Sequence, residues 1–227
     1  MISVIVSVYN SEAFLKKYLQ FANDQFLDSF EIIFVDANSS DRSLEIIENF
    51  KFRNGISVKI LPQNSRITVY QAWNIAVRQS TQKYIVNWNT DDILFPSALE
   101  TYSCYLKNFP EVDLFYSSCF ISKDQSLQSI YDMFLWPEYS HKTLLQRCIC
   151  GPFPMVKKSA IESVGYFSEK YISSGDYDMW LKLSKNDFKF KKIPEIIGSY
   201  YRRESSVSLS SIEIAQKEDR EIKKLYA

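Results

Sequence analysis

The sequence predicts an α/β fold, a single domain on a Rossmann-like, mostly parallel central sheet flanked by helices. Three observations carry this expectation. Short β-branched runs recur at Ile2 to Val8, Phe30 to Val35, Val58 to Leu61 and Tyr84 to Trp88, and they are almost continuously apolar, as strands buried on both faces are. Between them lie segments with apolar residues at helical spacing, such as Phe14, Leu15, Tyr18, Leu19 and Ala22. The order strand, polar turn, helix is kept through the first half of the chain, which implies parallel strands joined by right-handed crossovers.

Taken in order, the first strand is interrupted by Tyr9, Asn10 and Ser11, and Asn10 or Ser11 suits the N-cap of the first helix. The second strand ends on Asp36-Ala37-Asn38-Ser39-Ser40-Asp41, ahead of a helix carrying Leu44, Ile46, Ile47 and Phe50. A helix over 69–79, with Ala72, Trp73, Ile75 and Ala76, follows the third strand. The fourth runs through Tyr-Ile-Val-Asn-Trp-Asn-Thr-Asp-Asp, residues 84–92, and stops on two adjacent carboxylates. Adjacent carboxylates repel, so a fold that fixes them at a strand end calls for a cation, and hard oxygen ligands suit Mg2+ or Mn2+. The carboxyl ends of strands in open α/β sheets are also where ligands sit. Asp91 or Asp92 equally suits the N-cap of a helix starting near Pro96.

The second half is read as a helix over 97–108, a strand over 113–122, and a less regular stretch over 123–150 holding Trp136, Pro137 and the single histidine, His141. A strand leads into a short helix that stops at Gly165. Gly175-Asp176-Tyr177-Asp178 opens a further helix with an apolar face of Met179, Trp180 and Leu183. Strand-like pieces fill Phe188 to Tyr201, and residues 209–227 form a charged helix or linker outside a domain of 1–208.

Composition narrows the function. The 27 basic and 27 acidic side chains cancel and are scattered, which excludes a basic nucleic-acid groove. Cys104, Cys119, Cys148 and Cys150 show no metal spacing with the lone histidine, and a disulfide framework is not expected in a chain this long, so a reduced, cytoplasmic setting follows. No apolar run approaches the ~18 residues of a membrane span, so any work at a membrane is expected to be peripheral, at its inner face, or to go through a segment outside this sequence. The first strand is followed by no Gly-x-Gly-x-x-Gly, and the chain has five glycines. Phosphate binding therefore falls to a metal and to side chains.

Four segments together resemble the family 2 glycosyltransferases, inverting nucleotide-sugar-dependent enzymes with the GT-A fold: Val6 to Asn10, Val35 to Asp41, Tyr84 to Asp92, and Gly175 to Leu181. The resemblance implies that residues 1–96 bind a nucleotide-sugar donor and 97–208 a glycan or lipid-linked saccharide acceptor, in bacterial surface polysaccharide assembly. Carried over by position, Tyr9 packs on the donor base, with Asp36 and Asn38 at the nucleoside. Arg66 and Asn74 border the ribose and phosphates. Asp91 reaches the ribose, and Asp92, with Asp91, holds Mg2+ or Mn2+ on the diphosphate. Asp176 is the general base.

The pattern departs in three places. Ala37 stands where many relatives have a second aspartate, Gly175 where they have glutamate, and no histidine follows Tyr201-Arg202-Arg203. Arg202 and Arg203 are offered instead as diphosphate contacts, and Trp180 as an acceptor platform. From the residues alone, Tyr9 also suits a half-buried packing role, Asp36 a turn, Asp41 and Asp176 helix caps, Asp178 a helix surface, and Trp180 the core. A degenerate nucleotide-sugar-binding module is the alternative that these departures keep open. Acceptor choice is expected to lie in 120–150.

Overall fold

The protein was analysed as a computed structural model, which describes residues 1–202 and 212–227. Its strands are β1 (Ile2–Val8), β2 (Phe30–Asp36), β3 (Ile56–Pro62), β4 (Tyr84–Asn87), β5 (Ile93–Leu94), β6 (Leu114–Ser117), β7 (Cys119–Ser122), β8 (Ile130–Phe134), β9 (Met155–Lys157), β10 (Phe190–Ile193) and β11 (Gly198–Tyr201). The helices are α1 (Glu12–Asn23), α2 (Ser43–Asn49), α3 (Val69–Gln79), α4 (Ala98–Asn108), α5 (His141–Gln146), α6 (Lys158–Ser163), α7 (Gly175–Lys185) and α8 (Ile212–Tyr226).

The main sheet has the order β10-β6-β9-β4-β1-β2-β3. β1 pairs in parallel with β2 and β4, β2 with β3, and β10 with β6, while β9 is antiparallel to both neighbours. The period-two rule assigns the faces. Val4, Val6 and Val8 of β1 pack under α1, α2 and α4, whereas Ile5 packs under α3, α6 and α7. Both faces are therefore dry, which explains why these strands are apolar throughout. α3 begins on a capping box, with Thr68 and Gln71 bonding each other's backbone N–H.

A second, four-stranded sheet has the order β5-β11-β7-β8. It revises two expectations. The single strand over 113–122 is two strands, broken at Ser118, whose Oγ accepts the Trp136 N–H at 3.1 Å, and β6 and β7 belong to different sheets. The irregular stretch over 123–150 contains β8 and α5, because β8 pairs antiparallel with β7. The capping alternative for the acidic pair also falls, since α4 begins at Ala98 with Ser97 in the N-cap position.

Within the second sheet β11 pairs antiparallel with β5, Gly198 opposite Leu94 and Ser199 opposite Ile93. Gly198 allows this approach, because a Cβ there would lie 2.3 Å from the Ile93 carbonyl oxygen. Gly198→Ala is therefore expected to cost about 1–3 kcal/mol, the usual range for overpacking, against an unperturbed slope in a denaturant titration.

Candidate active site

At the carboxyl ends of β1 and β2 the register places Val8 opposite Asp36. The loops that follow are cross-linked. The Asn10 N–H donates to Ser39 Oγ (3.0 Å), and Asn10 Oδ1 accepts the Ser40 N–H (2.9 Å). The Ser11 N–H donates to Ser43 Oγ (2.7 Å). Asp41 accepts the Glu12 and Ser43 N–H groups, both at 3.0 Å, so it fastens the starts of α1 and α2 together. Asn10 and Asn38 sit at φ 46° and 64°, left-handed backbone that Asn tolerates better than most side chains.

Asp36 is buried and its carboxylate accepts the Ser39 hydroxyl (2.5 Å) and N–H (3.1 Å), a turn closed on itself. Ala37 is buried beside it. Tyr9 is 42% exposed, with the Arg66 guanidinium lying over its ring. Tyr9, Asn38 and Arg66 thus form the accessible rim of this crevice, and Asp36 its buried floor.

The acidic turn is anchored on both sides. Trp88 is fully buried, its ring tilted at 50° against Tyr18 with centroids 4.5 Å apart, and its Nε1 donates to the Asp92 carbonyl (3.0 Å). Asp92 is 1% exposed and its Oδ1 accepts the Tyr201 N–H from β11 (2.9 Å). Asp91 is the more accessible of the pair. The neighbouring Thr90 hydroxyl donates to Ser11 Oγ (3.1 Å), and the Thr90 carbonyl accepts from Gln125 (2.7 Å). The turn is therefore tied to the β1 loop and to the β7–β8 connection. Arg202, which follows Tyr201, is exposed beside it; Arg203 lies outside the described residues.

The residues present fit a divalent cation in one particular way. Among the described residues no cluster of three or more His, Cys, Asp or Glu side chains surrounds a metal position. Mg2+ is commonly held by one or two carboxylates with substrate phosphates completing its shell. Asp91 and Asp92 match that mode and no closed protein cage.

Asp176 lies in the first turn of α7, partly buried. Its Oδ1 accepts the Tyr177 N–H (2.8 Å) and the Tyr70 hydroxyl (3.5 Å). Burial pushes its carboxyl up to about 6, against these hydrogen bonds and with help from the charge of Asp219 on α8. Tyr70 also decides the preceding residue, because a Cβ on Gly175 would lie 2.8 Å from its ring. A carboxylate poised near neutrality is suited to accepting a proton.

Several expected roles need correcting. Asn74 is 1% exposed and its amide is engaged by the Phe167 N–H (3.0 Å), the Phe167 carbonyl (2.9 Å) and Glu169 (2.9 Å). It clasps the chain ahead of α7 and does not face the crevice. Trp180 is 1% exposed and packs edge-on to Phe167, so it is core and cannot be a platform. Asp178 is buried, paired with Lys182 (2.8 Å) and bonded by the Tyr226 hydroxyl (2.8 Å), and is not on the surface. Tyr70 and Ser39 were not singled out from the sequence. Tyr70 sits at apolar helical spacing with Trp73 and Val77 on α3, a pattern that signals core and conceals its hydroxyl. His141 bonds Ser184 (2.6 Å) in a groove of about 890 Å³ at the amino ends of β6 and β10, away from these loops.

The family model described as Glycosyl transferase family 2 matches residues 3–162. The Escherichia coli chondroitin synthase is 28% identical over 222 residues, 96% of this chain and 31% of that protein. A crystal structure of S. aureus TarS 1-349 in complex with UDP-GlcNAc aligns with TM-score 0.76 at 19% identity, over 92% of this chain and 60% of that one. The mannosyltransferase PcManGT from Pyrobaculum calidifontis, in complex with GDP-Man and Mn2+, aligns with TM-score 0.74 at 16% identity, over 95% and 61%. The chain thus spans less than two thirds of each of these proteins, and the two structures share its fold.

The raised Asp176 carboxyl has a consequence for stability. Its folded value, about 6, exceeds the ordinary 3.8, so the folded state binds more protons between those values and loses stability as pH rises through them. Asp176→Asn removes that loss. Its melting temperature should match wild type near pH 4 and exceed it above pH 7 by a few degrees, equivalent to about 1–2 kcal/mol.

Proposed function

The chain belongs to glycosyltransferase family 2, has the GT-A fold and is a glycosyltransferase, and from that premise we infer that it moves a sugar from a nucleotide-diphosphate sugar to an acceptor hydroxyl with inversion at the anomeric carbon. The observation that carries the reading is Asp176, a single carboxylate poised near neutrality. Among the described residues, two neighbouring acids are otherwise engaged, while Asp219 of α8 adds charge to its surroundings. Asp178 is held by Lys182 and Tyr226, and Glu218 accepts backbone amides. A base poised in this way suits direct displacement, in which it takes the acceptor proton as the hydroxyl attacks. A retaining route through a covalent intermediate would want a second carboxylate as nucleophile.

The donor occupies the crevice in this reading. Tyr9 offers its exposed face to the base, with Arg66 displaced from it or stacked beyond it. Asp36 and Asn38 meet the nucleoside, and Ala37 leaves the choice of base to them and to the β1 loop. Asp91 and Asp92 would hold Mg2+ or Mn2+ with the diphosphate, and Arg202 would add positive charge there. A cation held there would supply Lewis-acid stabilisation of the leaving diphosphate. That TarS and PcManGT, which share the fold, have been solved with UDP-GlcNAc and with GDP-Man and Mn2+ favours a nucleotide-sugar donor.

The acceptor falls to residues 97–208. The β7–β8 region leaves Leu127, Tyr131, Met133 and Leu135 exposed, an apolar surface suited to a lipid-linked saccharide at the cytoplasmic face of a membrane. Among the described residues no helix is long and apolar enough to cross one. The relatives' names, including a chondroitin synthase and an undecaprenol-diphosphate glucosyltransferase of Escherichia coli, favour polysaccharide assembly.

Transfer kinetics test the reading. Asp176→Asn should lower kcat about 10²–10⁴-fold with the donor KM nearly unchanged. The wild-type rate should rise with pH through about 6, as the base ionises, and β-linked product should form from an α-linked donor. Undiminished transfer by Asp176→Asn would remove the base from the account.

A further inference from the structure

Helix α8 lies beyond the residues matched by the family, 3–162. Its charged sequence suggests a linker, yet it is packed onto α5 and α7. Ile222 is fully buried, Lys170 pairs with Glu221, and Lys223 donates to the Gln146 carbonyl (2.7 Å). The contact of most consequence is Glu218, 9% exposed. Its Oε1 accepts the Ile172 N–H (2.8 Å), and its Oε2 accepts the N–H groups of Ser173 and Ser174 (both 2.9 Å). Charge-assisted bonds of this kind are roughly twice as strong as neutral ones.

These three amides immediately precede Gly175 and Asp176. The start of α7 has no cap of its own, since Ser174 in the N-cap position makes no side-chain bond to the helix, and its hydroxyl turns to the Ala215 carbonyl of α8 (3.5 Å). The helix end that carries Asp176 is thus fixed from one side by Tyr70 and from the other by Glu218 of a sequence-distant helix. We propose that Glu218 is a positioning residue for the Asp176 base, clamping the 172–174 backbone, so that α8 is part of the catalytic unit. The positioning role rests on the reading of Asp176 as base. The clamp itself does not.

Two measurements on the full chain test this together: backbone amide exchange at 172–174, and kcat with donor KM. Glu218→Ala should lose protection at Ile172, Ser173 and Ser174 and lower kcat about 10–100-fold, with donor KM within about twofold, as expected when a reacting group is misplaced. Glu218→Gln, which keeps one acceptor oxygen, should recover part of kcat. Tyr226→Phe, which loosens α8 at its far end by removing the bond to Asp178, should lower the melting temperature and leave kcat near wild type. Unchanged protection in Glu218→Ala would overturn the clamp. Lost protection with unchanged kcat, or an equal kcat loss in Tyr226→Phe, would overturn positioning. A wild-type chain that transfers from no nucleotide sugar would instead overturn the functional reading and the positioning role with it, while the exchange result would still decide the clamp.

Discussion

The turn from Trp88 to Asp92 is the constraint on which the rest of the molecule depends. β4 lies in the middle of the main sheet and ends at Asn87, and within a few residues the chain must enter the second sheet at β5. Trp88 fixes that change of direction by burying its ring on Tyr18 and donating to the Asp92 carbonyl. Asp92 completes it by accepting from Tyr201, the last residue of β11. Burying a carboxylate this deeply is costly unless it is hydrogen-bonded, so the backbone amide of β11 is a structural requirement as well as a tether. Asp91 is left as the accessible member of the pair, at a place where the β1 loop, the β7–β8 connection and the end of β11 converge.

Much of the fold was legible because strands buried on both faces leave a strong signal. β1, β2 and β4 are continuous β-branched runs, and the helices between them follow from spacing. The break at Ser118 was not legible. Phe115, Tyr116 and Cys119 through Ile121 are apolar on both sides of it, and only the pairing of β7 with β11 and β8 shows that the chain has changed sheets.

The site divides along the same line. Asp91, Asp92 and Asp176 announce themselves because acids at element ends are conspicuous. Asn74 and Trp180 mislead because polar and aromatic side chains near a site serve packing as readily as binding. Asn74 is consumed by the backbone at Phe167, and Trp180 by Phe167's ring. Asp178 looked like surface, and its burial depends on Tyr226, 48 residues away in sequence. Tyr70 and Glu218 left no signal at all, since each acts across more than 40 residues of sequence on one short segment. Gly175 is a related case. Its absent side chain makes sense once Tyr70 is seen to occupy the space.

The central claim is that the crevice at the carboxyl ends of β1, β2 and β4 holds a nucleoside diphosphate through a cation that the protein binds only in part. Thermal melting of the chain with UDP, GDP, dTDP or CDP, each with and without Mn2+, tests it most directly. One nucleotide at about 100 times its Kd should raise stability by roughly 2.7 kcal/mol, only with Mn2+ present, and the effect should vanish in Asp91→Ala. Mn2+ alone should do little, because among the described residues the carboxylates form no closed cage. Stabilisation by none of the four nucleotides, or equal stabilisation in Asp91→Ala, would contradict the account.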